Sequence, residues 1–142
     1  MKTALAQFNL PGEAVQYLDD FYHVLQAWDD FVDGDDMPRT DKDRAIYVSL
    51  VSMPSNPFYI QNCHILLPLI SNIVLKWKAA DSAEREGKYL HLAYGWRAGY
   101  FELVLQVLQI VHGHEVAMQN AHHVMGLYGE DFETYQKEFA HA

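Results

Sequence analysis

The sequence predicts an all-α fold: a single domain of five to six helices around two long ones. Three observations predict it. Apolar residues recur at i, i+3, i+4 and i+7 along most of the chain, and the β-branched runs Ile46–Val48 and Val104–Val111 keep helical spacing. Proline and glycine punctuate the chain at helix-sized intervals, at Pro11, Gly34, Pro54, Pro57, Gly113 and Gly129. Half of the 142 residues are apolar and 13% are aromatic, enough to build a core in one domain.

Residues 1–11 read as an N-terminal arm. A first long helix runs from about Gly12 to Asp33 and stops at Gly34, where a glycine accepts the left-handed C-terminal conformation. Asp35-Asp36-Met37-Pro38-Arg39 is a loop. Thr40 is the expected N-cap of the next helix, with Asp43 three residues on as in a capping box. Pro54-Ser55-Asn56-Pro57 breaks the chain, and Asn56 as N-cap with Pro57 behind it opens the following helix. That helix is expected to end near Ala80, kinked or split at Pro68. Leu66, Leu69, Ile70, Ile73 and Trp77 form its apolar stripe. Asp81-Ser82-Ala83-Glu84 is the expected junction to a second long helix, about Ala83 to Val111, with Leu90, Ala93, Tyr94, Tyr100, Phe101, Val104, Leu108 and Val111 on its buried side. Short segments 114–128 and 130–140 complete the chain. In the last, Phe132, Tyr135 and Phe139 recur at helical spacing, either to close the bundle or to dock on a second copy.

Both long helices place one charge on an apolar stripe. With Leu18 at the centre of a helical wheel, Ala14, Phe21, Tyr22, Leu25 and Val32 fall within about 60° of it and Asp29 within about 20°. Asp33 lies at the stripe's edge, and Asp30 lies outside it beside Asp19, His23 and Gln26. Arg97 sits in the middle of the second stripe. A buried charge without a partner costs several kcal/mol. The sequence therefore leads us to expect that Asp29 and Arg97 are coupled, directly or through a ligand, with Asn72, Lys76, Tyr94 and Tyr100 bordering the same space. The plain alternative is a structural ion pair with no further role.

Five carboxylates fall within the eight positions Asp29 to Asp36, and the net charge is −9. An acidic balance argues against nucleic acid or an anionic membrane as a partner and suits a cation or a basic protein surface. No apolar run is expected to span a membrane. The start of the chain does not read as a secretory signal. One cysteine, Cys63, leaves no internal disulfide and suits a reducing cytoplasm. His112, His114, His122 and His123 with Glu115 offer metal-ligand types, but dipole complementation at a helix end and a solvated face explain them better. His64 and His91 are expected as half-buried packing residues. No phosphate-binding loop, nucleophile elbow or dinucleotide fingerprint is found.

Two resemblances follow from these residues. Asp29-Asp30-Phe31-Val32-Asp33 resembles the aspartate-rich motif of class I isoprenoid synthases, all-α enzymes that bind a diphosphate through Mg²⁺. The resemblance implies Asp29 and Asp33 as Mg²⁺ ligands, with Arg97 and Lys76 neutralising phosphate oxygens. A second metal-binding motif does not read on the later helices. Trp28-Asp29-Asp30 with Asp33-Gly34-Asp35, Asn56-Pro57-Phe58-Tyr59, and Asn72 with Trp77-Lys78-Ala79 resemble small helical proteins of tailed phages and prophages. This implies a phage accessory or structural protein in a bacterial cytoplasm or virion, acting through protein contacts or self-association. The second reading is the leading expectation. The alternative is a Mg²⁺-dependent enzyme or a binder of a phosphorylated small molecule.

Overall fold

A computed structural model describes residues 1–139. It is 82% helical, with no strand among the described residues, as the periodicity predicts. The helices are more numerous than the five to six expected, because the second long helix is broken. The chain divides into two compact units, Met1–Cys63 and the chain from His64 onward.

The first unit opens with a short helix α1 (Lys2–Leu5), followed by a 3₁₀ turn (Ala6–Phe8). The expected arm is thus folded, and Leu5 and Phe8 are buried because they are its apolar side chains at helical spacing. Helix α2 (Gly12–Asp33) has the predicted bounds. It ends in a Schellman motif: Gly34 takes φ 75°, its N–H reaches the Phe31 carbonyl at 3.3 Å, and the Asp35 N–H reaches Asp30 at 2.9 Å. Ala14, Tyr17, Leu18 and Phe21 are buried as the wheel requires. Asp19 and Asp20 are buried as well, against expectation. The N-terminal segment answers part of this charge, with the Met1 ammonium 3.9 Å from Asp19 and His23 Nδ1 3.5 Å from the same carboxylate.

Helix α3 (Arg39–Tyr47) starts one residue before the expected cap. The Pro38 carbonyl accepts from Asp41 and Lys42 at 3.0 and 3.2 Å, so Thr40 lies inside the first turn and no side chain caps it. A π-helical turn (Val48–Ser52) follows. Helix α4 (Pro57–Glu86) begins as predicted: the Tyr59 N–H donates to Asn56 Oδ1 at 3.1 Å, and Asn56 Nδ2 donates to the Glu13 carbonyl at 3.0 Å. That second bond ties the start of α4 to the first turn of α2. Tyr17 and Tyr59 stack at 5.1 Å.

The boundary between the units falls inside α4. Pro68 does not divide this helix, and neither does the expected junction at Asp81. Asp81 stays helical because Lys78 and Arg85, one turn to either side, pair with it at 3.6 and 3.2 Å. The stop comes at Gly87, φ 68°, in a second Schellman motif: Gly87 N–H to Glu84 at 3.2 Å and Lys88 N–H to Ala83 at 3.0 Å. In the second unit Leu66, Ile73, Trp77, Ala80 and Ala83 of α4 are buried. An 18-residue window of α4 has mean hydropathy 1.4 and is only 17% buried, so by length and composition this helix is able to cross a membrane, contrary to the sequence expectation.

Helices α5 (Leu90–Trp96) and α6 (Gly99–His112) replace the predicted continuous helix. At Gly99 a Cβ would stand 3.4 Å from the Ile73 side chain, so the start of α6 approaches α4 through the space a glycine leaves. Helix α7 (His114–Met125) packs on α6 across Gly113. Helix α8 (Phe132–Phe139) packs on α5. Tyr135 is buried with Ala80, Ala83 and Ala93, and Phe132 and Phe139 flank it, so this segment closes the bundle of its own chain.

Candidate functional site

Helices α2 and α3 enclose two adjoining depressions in the first unit. The cause lies in the sequence of α3. Arg39-Thr40-Asp41-Lys42-Asp43-Arg44 is almost wholly polar, and no residue of α3 is buried. Few apolar side chains therefore hold α3 on α2, and the small side chains of Ala27 and Ala45 line the space between them.

The first depression is a cavity of about 180 Å³ whose ionisable lining is Asp20, His23 and Asp30 from α2 with Asp41 and Arg44 from α3. The α2 residues are spaced three and seven apart, which places them on one flank. Asp20 is only 6% exposed. Its Oδ1 accepts from Gln16 Nε2 at 2.8 Å. Among the described residues no cation lies within ion-pair distance of Asp20, Asp30 or Asp41, and Arg44 has no carboxylate partner. His23 turns its Nδ1 to the Asp19 carbonyl at 2.8 Å.

The second depression is an apolar groove of about 410 Å³ lined chiefly by Trp28, Phe31, Met37 and Ile46. It shares Val24, Ala27, Met37 and Ala45 with the cavity, so the two adjoin. Phe31 is 76% exposed and Ile46 62%. Tyr47, Leu50 and Val51 extend this exposed apolar surface into the π-helical turn. The unit that carries it has ten acidic and four basic side chains, which places six of the nine net negative charges there.

The residues singled out from sequence lie as follows. Asp29 is half-buried and Asp33 exposed, both on the last turns of α2. Arg97 belongs to the second unit and holds Glu84 bidentately through Nε and Nη2. Its guanidinium lies 4.8 Å from the Trp77 ring centroid. Glu84, 3% exposed, also accepts the Tyr135 hydroxyl at 2.6 Å. The sequence placed Glu84 in the expected junction before the second long helix and gave no sign of it as a partner of Arg97. Lys76 pairs with Glu102 at 2.6 Å. Asn72 is exposed, Tyr100 is buried, and the Tyr94 hydroxyl donates to the Glu130 carbonyl. The two cations suggested for phosphate are thus each engaged by a carboxylate.

Burial and the Glu84 carboxylate raise the Tyr135 hydroxyl pKa well above its ordinary value. Burial, then Glu130, raises that of Tyr128, and burial with Tyr59 raises that of Tyr17. The Thr134 N–H and hydroxyl, both donating to Asp131, hold that carboxyl below its ordinary value.

Among the described residues no three His, Cys, Asp or Glu side chains gather as a metal set would. His122 and His123 are exposed and stacked at 6.2 Å. His64 and His91 are exposed, not half-buried as expected, because each lies off the buried stripe of its helix. Cys63 is a free thiol. No family model, curated protein or solved structure matches this chain.

Proposed function

We propose that residues 1–63 form a protein-docking module, and that the chain acts through protein contacts as a phage accessory or structural protein. The observation that carries the docking reading is the α2–α3 groove. Apolar patches of this kind, exposed and rimmed by charge, mark interaction sites more often than they occur by accident. An amphipathic helix laid in a groove needs an apolar floor and a complementary rim. Trp28, Phe31, Met37 and Ile46 supply the floor. The excess of carboxylates on this unit selects a basic partner segment. The phage assignment rests on the sequence resemblance.

The test is fluorescence anisotropy with a labelled helical peptide carrying leucine at i, i+3, i+4 and i+7 and arginine on its flanks. A scrambled peptide of the same composition is the control. Phe31→Ser is the informative variant: its ring is largely in solvent, so the fold does not depend on it. Binding weakened about tenfold or more by Phe31→Ser supports the docking reading. Equal affinity for the ordered and scrambled peptides, unchanged by the variant, refutes it.

The competing reading is a Mg²⁺-dependent site for a diphosphate at Asp29 and Asp33, one helical turn apart on α2. Its own measurement is a thermal shift with Mg²⁺ and inorganic diphosphate together. A shift that disappears in Asp29→Asn would establish it.

A further inference from the structure

We infer that the cavity beside the groove is a socket for the cationic head of a basic side chain, arginine or lysine, carried by the docked segment. This deepens the docking reading above and rests on it for the source of the cation. Asp20 lines this cavity from α2. It is almost completely withdrawn from water, yet its one described hydrogen bond comes from a neutral amide, Gln16 at 2.8 Å. Its second oxygen still reaches open space and is free to accept from a cation that enters there. Asp30 and Asp41 face the same 180 Å³ space from opposite helices. Against three carboxylates the wall offers one guanidinium, Arg44, which pairs with none of them.

A bare metal ion does not suit this arrangement, since no three ligand-type side chains gather on one point among the described residues. Carboxylates set apart around an elongated space suit an organic cation with several donors, as a guanidinium has. Val24, Ala27, Met37 and Ala45, common to the cavity and the groove, provide the apolar path for the methylene stem of such a side chain. An apolar anchor on Phe31 and a basic head at Asp20 then belong to one bound segment.

Two probes test the socket on the full chain. The first is methylguanidinium chloride, titrated at constant ionic strength and followed by amide NMR shifts. Saturable shifts at Asp20, His23 and Arg44 are expected, flattened by Asp20→Asn and strengthened by Arg44→Gln, which removes the competing cation. The second is the leucine–arginine peptide beside the same peptide with citrulline, which keeps the shape and drops the charge. Asp20→Asn should weaken the arginine peptide about tenfold or more and leave the citrulline peptide unchanged. Asp30→Asn, half-exposed, repeats the binding test without risk to the fold.

The socket is overturned if methylguanidinium gives no saturable shift, or if both aspartate variants bind the arginine and citrulline peptides as the parent does. If the socket fails while Phe31→Ser still weakens the peptide, the groove stands alone. If Phe31→Ser changes nothing while methylguanidinium saturates at Asp20, the socket stands and the groove falls.

Discussion

Removing the Arg97 guanidinium should be among the most damaging single changes in the second unit. Glu84 exposes only 3% of its side-chain surface and Arg97 15%. Arg97→Met leaves the Glu84 carboxylate inside with the Tyr135 hydroxyl as its described donor. Stranding one partner of a buried pair costs about 3–5 kcal/mol. Whole domains are stable by roughly 5–15 kcal/mol, so this is at least about a fifth of the total. For a chain of this size the melting temperature should fall by about 6–20 °C. Glu84→Gln should cost less, because Arg97 is less buried and keeps the Trp77 face at 4.8 Å. The double replacement Glu84→Leu with Arg97→Met should recover a large part of the loss, since no charge is then left behind. Urea unfolding followed by helical circular dichroism reads these variants and the single Glu84→Leu that closes the cycle. Arg97→Met within about 1 kcal/mol of the parent, or strict additivity in the cycle, would refute the reasoning.

Further outcomes are expected. The raised hydroxyls of Tyr17, Tyr128 and Tyr135 keep their protons in the folded chain above the pH near 10 where the unfolded chain loses them. Their contribution to stability is complete below about pH 10 and is lost as pH rises beyond it; denaturant midpoints from pH 8 to 11 should show the decline, shallower in Tyr135→Phe. Asp131→Ala removes the two Thr134 bonds at the start of α8 and should loosen Phe132–Phe139 first, read as faster amide exchange there. The coupling of Asp29 with Arg97 expected from the sequence is decided by the cycle Asp29→Leu with Arg97→Met; additive effects refute it. Flotation with neutral lipid vesicles should leave the protein in solution, and co-flotation would turn attention to the apolar surface of α4.

The sequence by itself determined what local rules decide. The bounds of α2, its glycine stop at Gly34 and the Asn56-Pro57 start of α4 depend on residues within one turn of each other, and all three are as read. Apolar spacing identified the faces that become buried, and it marked Arg97 as a charge in need of a partner. Local signals failed where two of them competed. Asp81-Ser82 read as a junction and Gly87 was passed over, because the ion pairs that keep Asp81 helical form only in the finished helix. The tertiary structure decided everything that needed two segments at once. It placed Glu84 against Arg97, buried Asp19 beneath the N-terminus, folded the first eleven residues into part of the unit, and set the polar helix α3 beside α2. The physical reason is that periodicity reports which side of a helix is apolar and carries no information about what that side meets. The groove and the Asp20 cavity are the clearest case, since neither is a property of α2 or of α3 alone, but of the distance at which two helices with little apolar surface in common come to rest.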